Sequence, residues 1–446
     1  MDELWIILEL EVINISCTAS GSDIHRVIQI DFSSISAFLK GLSTYPQPLR
    51  LRLRIFNIFF LYKHTHQAVR KGELSTIMKL VFDKADLVKS VAIAMKAVSG
   101  KTTMPILQCI LIDATSNQIK FTSNDMELGI ETIATGMILE RGMIALDAKI
   151  FSEIVRKLPD NQVTIETDEN LVTTITCEKA KFNIPGLSGE DFSYLPILET
   201  SDCVSISQFT LKELIRQTIF SIAANENNKL MTGELFEIKD NTLRVVSLDG
   251  HRIAIRKMEL KASYPDRKVV VPGKTLNEIS KILSGEVDDQ VDLYFSENHI
   301  MFKFDDTTVV SRLIDGEYFR IDQMLSSDYE TKVTINKKEF LNCIDRATLL
   351  VKEGDKKPII IDIQDGAMEL QINSAMGSMK EEIDIAKEGK DIMIGFNPKF
   401  LIDALRVIDD EEISIYLVNP KAPCFIRNED ESYIYLILPV NFNSVR

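Results

Sequence analysis

Residues 274–283 read KTLNEISKIL, and two other segments of the chain follow the same pattern. They are KIFSEIVRKL at 149–158 and KFLIDALRVI at 399–408, so the leading lysine recurs at intervals of 125 residues. In each segment an acidic residue follows the lysine by four positions, and apolar residues recur with the period of an α-helix. The pattern predicts three equivalent amphipathic helices, one in each of three repeats.

A second helix recurs at nearly the same interval. Its copies are FDKADLVKSV from residue 82, FTLKELIRQT from residue 209 and INKKEFLNCI from residue 335. Asp83, Thr210 and Asn336 are residue types that cap helix starts, and we expect them to do so here.

Segments of alternating apolar and polar residues follow each copy of the second helix, and they predict β-hairpins. These segments are 119–133, 243–257 and 368–385. We therefore expect an α+β chain in which each repeat packs two helices on antiparallel sheets. The predicted domains are residues 78–203, 204–330 and 331–446.

Residues 1–77 do not share the repeat. They carry a charge of +1, whereas the rest of the chain carries -16. Their apolar and basic block LRLRLRIFNIFFLY, at 49–62, is compatible with a membrane-surface or partner-binding helix. Our preferred hypothesis is that Met78 is the native start and that residues 1–77 are an extension from a mis-called start. A native protein whose intact mass begins at Met1 would contradict it.

The composition is that of a folded, soluble, cytoplasmic protein. Of 446 residues, 45% are apolar and 26% are charged. No apolar run reaches the roughly 18 residues of a membrane span, and Asp2 and Glu3 replace the basic start of a signal peptide. The six cysteines are widely scattered, which argues against a zinc site or a redox motif. We expect no metal, no cofactor and no membrane association.

The charge is unevenly distributed. The six predicted helices together carry +7, and the remainder after Met78 carries -23. If the helices line a common surface, that surface attracts phosphate without reading sequence. No aromatic residues that could stack on the bases of single-stranded nucleic acid interleave with these charges. The sequence also has no helix-turn-helix or zinc-finger pattern for reading bases.

The hairpin segment Leu243–Lys257, LRVVSLDGHRIAIRK, gathers Asp249, His251 and Arg252 at an Asp-Gly turn. These side chains either decorate an ordinary hairpin or border a pocket. An enzyme would use His251 as a general base oriented by Asp249, with Arg252 stabilising an anion. No nucleophile motif or glycine-rich phosphate loop accompanies them. A further alternative is a partner-binding scaffold that never encircles DNA.

Residues 78–446 resemble the bacterial DNA polymerase III beta subunit, the beta sliding clamp. The motifs behind the resemblance are the threefold repeat, the DGHR hairpin, TTMPILQCILIDA (102–114), VVVPGKTLNEISKIL (269–283), SRLIDGEYF (311–319) and YLILPV (435–440). The resemblance implies a head-to-tail homodimer that closes a ring around double-stranded DNA. It also implies a processivity factor without a catalytic site of its own. The implied partners are the replicative polymerase alpha subunit, the clamp loader, other DNA polymerases and repair proteins.

The resemblance further implies three sets of functional residues. A hydrophobic pocket for partner peptides would be formed by Leu248, Gly250, His251, Arg252, Ile253, Phe319, Met324, Leu436, Leu438, Pro439 and Val440. Lys101 matches a family position for DNA contact, and charge alone adds Lys84, Lys149, Lys274 and Lys399 as pore candidates. The dimer contact would use Phe182 and Ile184 on one side and Leu349 and Leu350 on the other. The alternative for these four is that they are ordinary core residues.

Overall fold

The computed structural model describes residues 78–100, 102–198, 203–224, 228–326, 328–352 and 357–442. The predicted N-terminal extension, residues 1–77, and the predicted DNA contact Lys101 lie outside these residues. The described part contains two helices and a set of strands in each of the three repeats.

Six α-helices lie in the described residues, at the places that the repeat predicts. They are α1 (Lys84–Ala94), α2 (Ala148–Lys157), α3 (Gln208–Thr218), α4 (Gly273–Ile282), α5 (Lys337–Thr348) and α6 (Pro398–Val407).

Side-chain caps start four of these helices, and two of the three predicted caps do not form. Asp83 occupies the N-cap position of α1, but its side chain accepts no hydrogen bond from the helix. The carboxylate of Asp147 and the amide oxygens of Asn336 and Asn397 accept backbone N–H groups of the first turn. The predicted cap Thr210 instead lies inside the first turn of α3. Its own N–H donates to the hydroxyl of Ser207, the true N-cap, because the preceding strand runs on to residue 207.

The strands number 26 in the described residues. They are β1 (Met78–Asp83), β2 (Cys109–Asp113), β3 (Ile119–Asn124), β4 (Leu128–Ala134), β5 (Met137–Glu140), β6 (Met143–Asp147), β7 (Gln162–Thr167), β8 (Val172–Cys177), β9 (Ala180–Ser188), β10 (Val204–Ser207), β11 (Gly233–Lys239), β12 (Thr242–Leu248), β13 (Arg252–Glu259), β14 (Arg267–Pro272), β15 (Gln290–Phe295), β16 (His299–Phe304), β17 (Thr307–Arg312), β18 (Thr331–Asn336), β19 (Ile359–Gln364), β20 (Ala367–Ser374), β21 (Gly377–Asp384), β22 (Ala386–Gly389), β23 (Ile392–Phe396), β24 (Glu412–Leu417), β25 (Cys424–Arg427) and β26 (Tyr433–Ile437).

The strands form three antiparallel sheets of 13, 9 and 4 strands. Two pairings run from one repeat into the next. Strand β17 of the second repeat pairs with β4 of the first, and β13 of the second pairs with β26 of the third. The sheets are therefore continuous across both boundaries within the chain, and the predicted α+β architecture is confirmed.

Each repeat has its own apolar core between its helices and sheets. In the first repeat, Phe121 packs between Phe82 and Phe151, with ring centroids 6.0 and 6.4 Å away. The second repeat has an additional cluster on the other face of its sheet, covered by the segment 314–325. For this reason Val245 and Val246, which are neighbours in β12, are both fully buried, one in each cluster.

The three predicted hairpins are all present, as β3–β4, β12–β13 and β20–β21. In the middle one, Gly250 has a φ of +87°, a conformation that favours glycine. The Asp-Gly pair therefore acts as predicted, in a turn of residues 249–251 between Leu248 and Ile253.

Candidate partner-binding site

A cavity of about 430 Å³ lies where the β12–β13 hairpin of the second repeat meets β26 of the third. Three adjacent strands supply its floor, because Leu248 pairs with Ile253 and Ile253 pairs with Leu436. All three side chains are buried in the additional cluster of the second repeat, which the segment 314–325 covers. Paired residues on neighbouring strands lie side by side, so the register builds this apolar floor.

The rim of the cavity is also apolar. Met324 and Leu438 are 47% and 37% exposed, although both side chains are hydrophobic. Phe319 packs edge-on against Tyr318, whose hydroxyl donates to the carbonyl of Val246 at 3.4 Å. Exposed apolar groups around a concave apolar floor are typical of a binding site for another molecule.

Most residues of the predicted pocket border this cavity. Its lining comprises Met231, Leu248, Gly250, His251, Arg252, Ile253, Phe319, Met324, Pro423, Leu436 and Leu438. Of the predicted set, Pro439 and Val440 are not in the lining. The N–H of Val440 donates to the carbonyl of Gly395 at 2.8 Å, which carries the C-terminal segment away towards β23.

Met231 and Pro423 line the cavity, and sequence reasoning missed them. Met231 lies in a short 3-10 helix, Lys229–Thr232, that precedes β11. Pro423 lies immediately before β25. Neither residue belongs to a recognisable sequence motif. Each lies in a connecting segment, and only the position of that segment in the fold brings it to the cavity.

The carboxylate of Asp249 organises the hairpin turn and does not orient the ring of His251. Its Oδ1 accepts the backbone N–H groups of His251 and Arg252 at 2.9 and 3.1 Å, and its Oδ2 accepts Nε of Arg252 at 3.0 Å. The imidazole of His251 instead stacks on Phe400 of the third repeat, with ring centroids 5.9 Å apart. These contacts contradict the enzyme alternative, in which Asp249 would orient His251 as a base.

Arg252 connects the second and third repeats beneath the cavity. Its Nη1 donates to Oδ2 of Asp403 in α6 at 2.7 Å, and its Nη2 donates to the carbonyl of Phe220 at 2.5 Å. The guanidinium carbon lies 4.6 Å from the ring centroid of Phe400. The side chain is 8% exposed. Its charged group is already satisfied by the protein, so Arg252 positions the hairpin more than it offers a free cation.

A buried carboxylic acid lies on the opposite face of the same sheet. Glu234, in β11, is 0% exposed, and neither of its oxygens meets hydrogen-bond geometry with another described group. Burial raises the pKa of the Glu234 carboxyl well above its usual value. The Glu234 carboxyl therefore stays protonated at pH values at which the exposed carboxyl groups of the surface are ionised.

Part of the helix charge is used inside the repeats. Nζ of Lys212, in α3, donates to the carbonyl of Leu283 at 3.3 Å, and Nζ of Lys337, in α5, donates to that of Ile408 at 2.6 Å. Both carbonyls lie at the C-terminal end of the second helix of the repeat, where a cation is favourable. These lysines therefore join the two helices of their repeat.

The predicted DNA-facing lysines fall into two groups. Lys84 forms an ion pair with Asp160 at 2.7 Å, and Lys274 forms one with Asp125. Lys149 and Lys399 are exposed and have no ion-pair partner among the described residues. The two unpaired lysines remain the better candidates for phosphate contact.

The predicted dimer residues lie in strand β9 and in the turn that follows α5. In β9, Phe182 is 39% exposed, whereas Ile184 is partly buried against the first core. After α5, Leu349 is 75% exposed, and Leu350 is partly buried against the third core. The core alternative therefore does not describe Phe182 and Leu349.

Models of all three domains of one protein family match the chain. The N-terminal domain of the DNA polymerase III beta subunit matches residues 78–196, the central domain matches 205–319 and the C-terminal domain matches 322–441. The chain belongs to the DNA polymerase III beta subunit family. The three matches follow one another in the family order and include the hairpin, the cavity and all six helices.

Similar proteins agree with this assignment. A beta sliding clamp of Staphylococcus aureus is 35% identical over 357 residues, which are 78% of this chain and 94% of the relative. A Bacillus subtilis sliding clamp structure has 36% identity and a TM-score of 0.79, covering 82% of this chain and all of that one. A structure from Eubacterium rectale, provisionally described as this subunit, has 70% identity, a TM-score of 0.80 and the same coverage.

The sliding-clamp function predicted from the sequence is thereby confirmed. A beta sliding clamp is a processivity factor for DNA polymerase, and its partners are therefore DNA and the polymerase. It has no catalytic site of its own. Among the described residues, no helix of this family member is long and apolar enough to cross a membrane.

Proposed function

We propose that the cavity between the β12–β13 hairpin and β26 receives short linear peptide segments of the clamp's partners. These partners would be the replicative polymerase alpha subunit, the clamp loader, other DNA polymerases and repair proteins. The observation that supports this most is the open apolar cavity of about 430 Å³ between two repeats. A leucine or aromatic side chain of an extended peptide fills such a cavity, and its backbone remains in the polar rim.

The proposed pocket residues divide by role. Leu248, Ile253 and Leu436 form the floor, and Met324 and Leu438 would close over the ligand from the rim. His251 offers a polar ring beside the entrance. Affinity would come mainly from burial of the peptide's apolar anchor, at roughly 25 cal/mol per Å² of apolar area.

The test is binding of a fluorescent peptide with leucine and phenylalanine anchors to the full chain. We expect Met324→Glu to weaken binding at least about tenfold, because it places a charge at the apolar mouth. Met137→Glu is the matched control, since Met137 is 61% exposed on β5, which belongs to another repeat. Equal affinities of the wild type and both variants would contradict the assignment of the pocket.

For DNA, we propose that the helices face the duplex and that Lys149 and Lys399 contact phosphates, with Lys84, Lys101 and Lys274 contributing less direct charge. Support comes from the exposure of Lys149 and Lys399 and from the charge of the six helices. Contacts of this kind carry no sequence information and permit sliding. Retention of the loaded protein on linear DNA with free ends would contradict topological encirclement.

For assembly, we propose a ring of two copies joined head to tail. The first part of β9 pairs with β8 alone, and β21 pairs with β20 alone, in the described residues. These two free edges carry opposite net charges. Lys179 precedes β9 and Lys181 lies in it, whereas β21 carries Glu381, Glu382 and Asp384 against Lys380. Phe182, Ile184, Leu349 and Leu350 would supply the apolar part of the contact. Analytical ultracentrifugation of the native protein at physiological ionic strength should give a mass twice that of one chain.

We also retain the predicted domain boundaries of 78–203, 204–330 and 331–446 as a proposal. The first two family-model matches lie inside these limits, whereas the third begins at residue 322, nine residues earlier than predicted. Residues 322–330 include Met324, and they continue the segment that covers the additional cluster of the second repeat. Limited proteolysis that cuts between residues 199 and 204 would support the first boundary.

A further inference from the structure

The first repeat boundary has the same strand arrangement as the boundary that holds the cavity. Strands β3, β4 and β17 pair there in the order in which β12, β13 and β26 pair at the cavity. The register is also the same. The residues that take the places of Leu248, Ile253 and Leu436 are Asn124, Gly129 and Val310. The backbone framework that forms the floor of the cavity therefore occurs twice in the chain.

The hairpin turns that border the two frameworks also correspond. Oδ1 of Asp125 accepts the backbone N–H groups of the residues two and three positions after it, at 3.0 and 2.7 Å. Oδ1 of Asp249 does the same, at 2.9 and 3.1 Å. The residue after each aspartate has a positive φ, of +75° for Met126 and +87° for Gly250. The two boundaries therefore share their backbone geometry and differ in their side chains.

A leucine of the chain itself occupies the first boundary. Gly129 has no side chain at the place where Ile253 lines the cavity, and a Cβ built on Gly129 would overlap Cδ2 of Leu195. Leu195 packs against a small buried cluster, whose members are Leu198, Tyr294, Met301 and Val310. The space over Gly129 is therefore taken by the side chain of Leu195.

The segment 193–198 crosses this boundary in the manner of a bound peptide. It has no helical or strand structure, and Nδ2 of Asn124 donates to the carbonyl of Ser193 at 3.3 Å. Leu195 turns towards the apolar cluster, whereas Ile197 is 100% exposed. An inward apolar anchor and a backbone bonded to the rim are the features by which an apolar groove holds an extended peptide.

We infer that the first boundary is a second site for leucine-anchored peptides, which the segment 193–198 keeps closed by occupying it. The inference rests on the proposed peptide binding at the cavity and extends it to another place in the same chain. A tethered segment competes at a high effective concentration, so a partner peptide enters the cavity and not the first boundary. Each chain therefore offers one open site, and removal of the Leu195 anchor opens a second.

The test counts the peptides bound per full chain by isothermal titration calorimetry, with the peptide that has leucine and phenylalanine anchors. The wild type should bind one peptide. Leu195→Asp should bind two, because a carboxylate is unfavourable against the apolar cluster and the segment then leaves the boundary. Leu195→Gly removes the same anchor without adding a charge and should also bind two. Leu195 is partly exposed, so neither replacement opens a core, and circular dichroism verifies the fold.

Ile197→Asp is the matched control, since Ile197 lies in the same segment and is fully exposed. It should bind one peptide, as the wild type does. Met324→Glu should lower the count by one in the wild type and in the Leu195→Asp chain alike, because it affects only the cavity. A count that stays at one in both Leu195 variants would overturn the inference and leave the cavity assigned. A wild type that binds no peptide would contradict the proposed cavity, whereas a gain of one peptide in the Leu195 variants alone would still support the second site.

Discussion

The guanidinium of Arg252 donates from Nη1 to Oδ2 of Asp403 at 2.7 Å, and this bond joins the hairpin of the second repeat to α6 of the third. The two side chains are 8% and 21% exposed. Strand pairing of Arg252 with Ile437 connects the same two repeats only one residue from the cavity floor. The shape of the cavity therefore depends on how the second and third repeats are held together.

Replacement of Arg252 by methionine should lower the free energy of unfolding by about 3–5 kcal/mol, because the carboxylates of Asp249 and Asp403 lose their shared cation. Peptide binding should weaken in parallel. Urea unfolding followed by circular dichroism measures the first effect. Lys281→Met is the control, since Lys281 is 52% exposed and pairs with Glu278 on the surface. Its loss should cost less than about 1 kcal/mol, and an equal loss for both variants would contradict this account.

Glu234→Gln should stabilise the protein increasingly, relative to the wild type, as the pH rises. The pKa of the Glu234 carboxyl is raised in the folded state by burial. A raised pKa adds to the free energy of unfolding, and this addition is fully present below the ordinary carboxyl pKa of 4.5, which applies to the unfolded chain. It is lost as the pH rises through the folded-state pKa. Thermal unfolding of both proteins between about pH 5 and pH 8 measures the difference. A difference that does not change with pH would contradict a raised pKa.

Lys149→Gln and Lys399→Gln should each lower the salt dependence of duplex binding. Removal of one phosphate contact reduces the slope of log K against log salt by about 0.9. Lys337→Gln should leave the slope unchanged and reduce stability instead, because Nζ of Lys337 donates to the carbonyl of Ile408 at 2.6 Å. Fluorescence anisotropy with a short duplex at several salt concentrations measures the slopes. If Lys337→Gln alone changed the slope, Lys337 would be the phosphate contact, and the assignment of Lys149 and Lys399 would be wrong.

Gly250→Ala should strain the hairpin that borders the cavity. Gly250 has a φ of +87°, and a Cβ there meets no atom within 4 Å, so the expected cost of about 1–2 kcal/mol comes from the backbone alone. Gly366→Ala is matched, with a φ of +78° and equally open space. Both should lose similar stability, but Gly250→Ala alone should alter peptide binding. Titration of the same fluorescent peptide against both variants separates the two effects.

Much of the fold could be predicted because its signals are local. The helices α2, α4 and α6 follow from apolar residues at helical period, and the hairpins follow from alternation and turn residues. The error at Thr210 was also local, since the extent of a preceding strand decides which residue caps the helix. The hairpin alone indicated a pocket beside His251 and Arg252 as one of two alternatives, and the other pocket residues were predicted only through the family resemblance. The two that were missed, Met231 and Pro423, lie in connecting segments without a motif.

The sequence by itself determined the three repeats, their helices and hairpins, and the excess of positive charge on the helices. Tertiary structure decided how those charges are used. Lys212 and Lys337 bind the ends of neighbouring helices, while Lys149 and Lys399 remain exposed. It also decided that Arg252 meets Asp403, which is 151 residues away in the chain. Periodicity reports which face of an element is buried, but ion-pair partners depend on how distant elements pack.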